Sequence, residues 1–232
     1  MDLKGINIVG CIMLHDDDKY AKKVLDDMAK YTNRVYVNLN DSTPTIKKIA
    51  KGHKSVVKII ETINSGGRWN QGLQRDNTIR MLDDIKPDIV LFPDSDECYP
   101  KNMSEQLMNF WLDKDKKTFW FRLLYMWDNE DTFRNDGLFK SIHHVRALKW
   151  QPNITYLPKY AGYACPSNYI NLPKNTRFHS TAPTFHYGYM HEEDRVRKYG
   201  RANCNYCDDG YRSIVDKDKL TVKVPDVLKL DK

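Results

Sequence analysis

Asp88-Ile89-Val90-Leu91-Phe92-Pro93-Asp94-Ser95-Asp96-Glu97 passes from a short apolar run straight into a cluster of carboxylates. An apolar run of this length, closed by a proline, reads as a buried strand. Carboxylates at a strand end are costly unless something cationic meets them. Two aspartates at i and i+2 around a turn can share a divalent ion such as Mg²⁺ or Mn²⁺, which prefers oxygen ligands and keeps positions for phosphate. An isolated Asp-x-Asp also caps ordinary turns, so its weight depends on what precedes it.

Upstream, strand and helix patterns alternate. Ile6–Leu14 is almost continuously apolar, as in a strand buried on both faces. Lys19–Tyr31 places Tyr20, Ala21, Val24, Leu25 and Met28 on one helical face. Val35–Leu39 is a second strand. The next helix has Ser42 or Thr43 as cap, Pro44 in its first turn, Ile46 and Ile49 inward and Gly52 as stop. Val56–Ile60 is a third strand, and Asn70–Ile85 a helix expected to bury Leu73, Ile79 and Leu82. With Asp88–Phe92 as the fourth strand, right-handed crossovers make a Rossmann-like half with a parallel sheet and helices on both faces. Ligands of such sheets bind beyond the carboxyl ends of the strands, here His15–Asp18, Asn40–Ser42 and Pro93–Glu97.

The second half changes character. Asn102–Lys114 is a helix whose Asn102 and Glu105 are spaced as a capping box. Thr118–Trp127 is an aromatic-rich strand, followed by the acidic loop Asp128-Asn129-Glu130-Asp131, and Ser141–Trp150 is a further strand. Residues 151–185 read as irregular, a helix is expected from about Met190 to Tyr206, and the charged end as a surface tail.

Composition narrows the function. The chain has 232 residues, with 37 Lys+Arg against 31 Asp+Glu and a net charge of +6. That is a globular composition at one-domain length, which excludes disordered, collagenous and disulfide-scaffold classes. The charge is dispersed; it allows an anionic partner without demanding a nucleic acid. Its densest stretch is Arg195, Arg197, Lys198 and Arg201, either a solvated helix face or a phosphate-facing patch. Apolar runs fall short of the roughly 18–20 residues that a membrane span needs. With no signal-peptide layout at Met1–Gly5 and an odd cysteine count, the expected location is cytoplasmic, with room for peripheral contact at a membrane surface. Cys204-Asn-Tyr-Cys207 has zinc-like spacing but lacks two further ligands, so it is given no role.

Gly66-Gly67-Arg68-Trp69-Asn70-Gln71, leading into a helix with Arg75, suits an anionic ligand; no Walker or Gly-x-Gly-x-x-Gly loop is present. His186, within Phe185-His-Tyr-Gly-Tyr189, can reach the carboxylates as a neutral imidazole ligand or serve as a structural histidine.

Taken in order, these features resemble the glycosyltransferase family 2 group with the GT-A fold, and are most similar to small bacterial enzymes that add sugars to lipopolysaccharide cores. The likeness spans roughly residues 6–201. It rests on Ile8–Asp18, on Gln74-Arg75-Asp76-Asn77, on Val90–Glu97, on His186-Tyr-Gly-Tyr189, and on Arg197-Lys-Tyr-Gly-Arg201. It implies an α/β GT-A domain at 1–206, with a donor half at 1–100, an acceptor half at 101–206 and a tail at 207–232. The implied activity is metal-dependent transfer of a hexosyl-type sugar from a nucleotide-sugar, UDP-linked in preference to GDP-linked. The acceptor would be a glycan, a lipid-linked group, a protein or a modified base. His15 and Asp41 would hold the nucleotide base, Arg68 and Arg75 the donor, and Asp94, Ser95 and Asp96 the ribose and diphosphate. Asp94, Asp96 and His186 would ligate Mn²⁺ or Mg²⁺. Relatives carry a His-Glu pair shortly before the late histidine, but Tyr163–Tyr169 contains no carboxylate. The catalytic base is therefore sought at Asp128, Glu130 or Asp131, with Asp128 leading, unless the reaction retains configuration and needs none. Two alternatives are a nucleotidyltransferase on a similar sheet and a non-enzymatic basic module for glycan or nucleic acid.

Overall fold

The computed structural model describes residues 3–32, 34–63, 71–154, 171–202 and 221–226. Strands β1 (Ile8–Leu14), β2 (Val35–Asn40), β3 (Val56–Thr62) and β4 (Ile89–Leu91) lie parallel in the order β3-β2-β1-β4. Helices α1 (Ala21–Met28), α2 (Pro44–Gly52) and α3 (Gln71–Arg80) make the crossovers. β1 sorts its side chains by parity. Ile12 and Leu14 join Val24, Leu25 and Ile46 on one face, while Val9 and Cys11 meet Ile79 and Leu82 on the other. Asn102 precedes α4 (Met103–Leu112), which packs Met103, Leu107 and Phe110 on the first face, over Ile8, Ile89 and Leu91.

Beyond β4 the sheet turns antiparallel. β8 (His143–Lys149) pairs with β4 and with β6 (Thr118–Trp127). β6 organises the second half because its ten residues serve two sets of neighbours. Its first half pairs with β8 and β9 (Arg177–His179). Its second half pairs with β7 (Asn129–Arg134) and β10 (Thr184–His186). β10 in turn pairs with the short β5 (Glu97–Cys98). The chain closes with α5 (Glu192–Ala202) and β11 (Thr221–Lys223), which adds to β7. This is a GT-A α/β fold in a single domain. Among the described residues no helix is long and apolar enough to cross a membrane.

Several expectations change. Leu73 is 46% exposed, because α3 turns Gln74, Arg75, Thr78 and Ile79 inward instead. Buried Asn38 of β2 donates to Gln74 O at 3.2 Å and to Thr78 Oγ1 at 3.1 Å, so polar bonds seat this helix. Asn102 forms no capping box; its Oδ1 accepts from Gln106 Nε2 at 2.9 Å. Residues 129–131, read as loop, open strand β7 because they return on β6. The stretch read as irregular contains β9 and β10, three residues each, too short to show a period. Part of the charged tail is strand β11. α5 is described to Ala202, and Cys204 and Cys207 lie outside the described residues.

Thr43 caps α2. Its Oγ1 accepts from Ile46 N at 3.2 Å and donates to Asp18 Oδ1 at 2.7 Å, tying the helix to the loop after β1. Loss of such a cap costs about 1 kcal/mol. Thr43→Ala is expected to lower the melting temperature by roughly 2–4 °C in a scanning calorimeter; an unchanged midpoint would show that Ser42 takes over the cap.

Candidate active site

The site forms where β4 ends and the chain turns through Asp94-Ser95-Asp96 into β5. Pairing of β5 with β10 sets His186 opposite Glu97, and Tyr187 N donates to Asp96 O at 2.8 Å. A histidine ninety residues downstream of Asp96 thus arrives beside it by strand register.

The carboxylates are then matched one by one. Arg146, on β8 and fully buried, donates from Nη2 to Asp94 Oδ2 and to Glu97 Oε1, both at 2.6 Å, and from Nε to Glu97 Oε2. Arg75 of α3 takes the other oxygen of Asp94. Asp96 is 3% exposed and accepts from Lys198 Nζ of α5 on Oδ2 at 2.6 Å, while its Oδ1 lies 3.6 Å from His186 Nε2. Burial alone would raise the Asp96 carboxyl. The charge of His186 when that ring is protonated, and that of Lys198 throughout, outweigh it and hold the group well below the usual carboxylate range. Burial likewise works against the Lys198 ammonium, yet Asp96 and Asp17 keep it charged.

Space is as tight as charge. A Cβ on Gly188 would fall 1.9 Å from Asp96 Oδ2 and 2.0 Å from Lys198 Nζ, so only glycine admits this ion pair. His186 stacks on Tyr189 with centroids 5.2 Å apart and lies 4.7 Å from Tyr125. Its Nδ1 is buried without a hydrogen-bond partner among the described residues. Burial lowers its pKa, which favours the neutral, ligand-ready imidazole.

Among the described residues two clusters bring three potential ligand atoms within 4.8 Å: Asp96, Glu97 and His186, and Asp94, Glu97 and His144. They differ in what is spare. Asp94 and Glu97 give both oxygens to arginines, and His144 Nδ1 accepts from Arg146 Nη2 at 3.0 Å. Burial first, then Arg146, pushes His144 well down, consistent with an acceptor nitrogen. Asp96 Oδ1 and His186 Nε2 face each other at a separation that one ion can bridge from both sides, so the donor set fits a metal at this pair.

The remaining sequence candidates surround this centre. Ser95 Oγ donates to Asp17 Oδ2 at 2.6 Å, and Arg197 holds Asp16 at 3.0 Å and Asp17 at 3.1 Å, so α5 clasps the loop after β1. His15 Nδ1 donates to Asn40 O at 2.7 Å; Asp41 follows, exposed, at φ 44°. Asp128 sits at φ 64° between β6 and β7, with Arg195 Nη2 donating to its Oδ1 at 2.9 Å. Its N–H reaches Met190 O at 2.8 Å, which places it beside the 186–190 turn. Glu130 pairs with Lys23, and Asp131 is exposed on β7, its carbonyl accepting from Val224 N at 2.7 Å. Arg68 lies outside the described residues.

Sequence reasoning missed Arg146 and the half-buried placement of Lys198 against Asp96. The signal for the first was present: Val145-Arg146-Ala147-Leu148 sets a charge inside an apolar strand, which demands a buried counter-charge. Removing one member of a buried ion pair costs about 3–5 kcal/mol. Arg146→Met is expected to destabilise by that amount in urea melts, and Arg146→Met/Glu97→Gln to recover part of it. A double variant no more stable than the single one would break the assigned coupling.

No protein-family model and no curated protein matches the chain. Solved structures do. TarS of S. aureus aligns with 90% of this chain and 42% of its own at 14% identity, with a TM-score of 0.51. TarS 1–349 in complex with UDP aligns with 90% of this chain and 70% of its own at 13% identity, TM-score 0.48. Glucosyl-3-phosphoglycerate synthase from Mycobacterium tuberculosis, with Mn²⁺, UDP and phosphoglyceric acid, covers 52% of this chain and 44% of its own at 16% identity, TM-score 0.39. At these identities the likeness is one of fold.

Proposed function

We propose that this chain is a glycosyltransferase that moves a hexosyl-type sugar from a UDP-linked donor to a hydroxyl of a glycan or similar acceptor. The observation that carries the reading is Asp96: buried, ionised, beyond the carboxyl end of β4 in a GT-A sheet, and shared between Lys198 and His186. In this reading residues 1–100 bind the donor and 101–206 face the acceptor. His15 and Asp41, at the ends of β1 and β2, would address the base, and Arg75, together with Arg68 from outside the described residues, would bind the donor. The acceptor class nearest to the sequence resemblance is a lipopolysaccharide-core sugar.

Charge counting supports a divalent ion. Asp94, Asp96 and Glu97 are met by Arg75, Arg146 and Lys198, three anions against three cations, so the turn is balanced before a ligand arrives. A diphosphate adds negative charge that, among the described residues of this turn, meets only the ammonium protons Lys198 has to spare. Asp96 Oδ1 and His186 Nε2 are the residues that would hold Mn²⁺ or Mg²⁺, which when bound supplies Lewis-acid stabilisation of the leaving diphosphate. Lys198 uses one ammonium proton on Asp96 and keeps two to offer a phosphate oxygen. Arg146 and Arg75 hold Asp94 and Glu97 still, so the turn needs little rearrangement when charge develops.

Removal of the acceptor proton falls to Asp128, the exposed carboxylate at the β6–β7 turn beside Trp127. A positioned base of this kind contributes about 10²–10⁴-fold. Asp128→Asn is expected to lower kcat by that factor with donor affinity unchanged, and NMR of the product's anomeric proton to show inversion. Retention of configuration, or a fully active variant, removes Asp128 from the mechanism.

The donor reading is tested by thermal stabilisation with a panel of nucleotide-sugars, with and without Mn²⁺. UDP-sugars at a hundredfold over Kd should add about 2.7 kcal/mol. Asp96→Ala and Gly188→Ala should each abolish the Mn²⁺-dependent part. Stabilisation that survives EDTA in full removes the metal, and none by any nucleotide-sugar removes the transfer reading.

A further inference from the structure

At the opposite end of β4, before Ile89, lies a cavity of about 390 Å³ whose lining includes Lys86, Lys114, Lys117, Lys149, Trp111 and Trp150. Three segments meet there, held by main-chain bonds: Trp150 N donates to Asp88 O at 3.1 Å, Lys149 N to Lys117 O at 2.9 Å, and Lys117 N to Thr176 O at 2.8 Å. The frame is therefore part of the sheet. It stands some six residues of extended chain, roughly 20 Å, from the Asp94 turn.

Four lysines converge on this cavity with one lining carboxylate, Asp88, whose Oδ2 is taken by Asn7 N at 2.7 Å. Elsewhere Lys22, Lys23, Lys30 and Lys47 each pair with a carboxylate. Among the described residues none of these four does. Lys149 is 7% exposed and donates to Asp113 O at 2.5 Å, the carbonyl just past the end of α4. That bond uses one of its three protons. Burial, reinforced by Lys114 and Lys117 and opposed by Asp113 and Asp115, lowers its pKa to about 8. Lys114 Nζ lies 4.5 Å from the Trp111 ring centroid, so cation and indole sit on the same wall.

We infer that this cavity is a second ligand site, separate from the Asp94–Glu97 centre, that binds a phosphorylated saccharide. The four ammonium groups answer the phosphate. The two indoles offer flat apolar surface for the C–H face of a sugar ring. The volume lies within the range of small-molecule sites and exceeds what a lone phosphate would fill. A single-stranded nucleic acid would ask for an extended groove with successive stacking platforms, whereas this pocket is confined to three short segments and offers two indoles. The inference does not rest on the transfer reading, since no residue of the Asp94 turn takes part.

The test follows the five indole N–H signals of the ¹⁵N-labelled chain, with Trp111 and Trp150 assigned through Trp→Phe variants. Glucose 1-phosphate is expected to shift those two signals saturably, at a concentration at least tenfold below that of inorganic phosphate or glucose. Lys86→Gln/Lys117→Gln, both on partly or fully solvent-facing positions, should weaken this at least tenfold with the melting temperature unchanged. Shifts confined to other tryptophans, an equal response to inorganic phosphate, an undiminished response in the double variant, or a stronger response to an oligonucleotide would each overturn it.

Discussion

Arg146 is the constraint on which the site depends. A guanidinium with no exposed surface is tolerated only because two carboxylates occupy its donors, and those carboxylates are tolerated at the end of an apolar strand only because Arg146 is there. The antiparallel pairing of β8 with β4 supplies this partner, setting Leu91 against Ala147, so that Arg146 O accepts from Phe92 N at 3.0 Å. The architecture and the electrostatics of the turn are one fact seen twice. Tyr99 Oη, donating to Arg146 O at 2.5 Å, fixes the same strand from α4's side.

Around that fixed pair the turn divides its labour. Asp94 and Glu97 are saturated and serve geometry, whereas Asp96 keeps one oxygen toward His186 and lends the other to a flexible lysine. An Asp-x-Asp seen in sequence suggests two equivalent carboxylates. Here the surroundings make them different, one rigid and one available, because Arg75 and Arg146 reach only the first.

Much of this was legible from residue order. The four parallel strands, their crossovers and the carboxyl-end location of the acidic turn follow from apolar periodicity and short connections. Ten residues of Thr118–Trp127 announced the strand that organises the second half. What escaped was pairing at long range. β5, β9 and β10 are too short to leave a pattern, and they exist because β6 and one another are available to pair with. Leu73 misled because the first turns of α3 face polar partners, Asn38 and Asp94, and only Ile79 near its end meets the apolar sheet. Lys198 read as either solvated charge or a phosphate-facing group because nothing local to α5 reveals its bond to Asp96.

The clasp of Arg197 on Asp16 and Asp17 has a bearing on how the molecule is made. It joins positions 180 or so apart in the chain, as does the Lys198 bond to Asp96 across 102. During synthesis from the ribosome, the four parallel strands emerge well before the groups that neutralise their acidic ends. Arg75 is already present for Asp94, but until residue 146 and then residue 198 follow, Glu97 and Asp96 are uncompensated carboxylates that hydration, not burial, must accommodate. Sheet assembly can begin early, while consolidation of the functional centre waits for the last helix, an ordering that long sequence separation makes slow. The nascent parallel sheet is thereby kept hydrated at the turn where Asp96 and Glu97 end up buried.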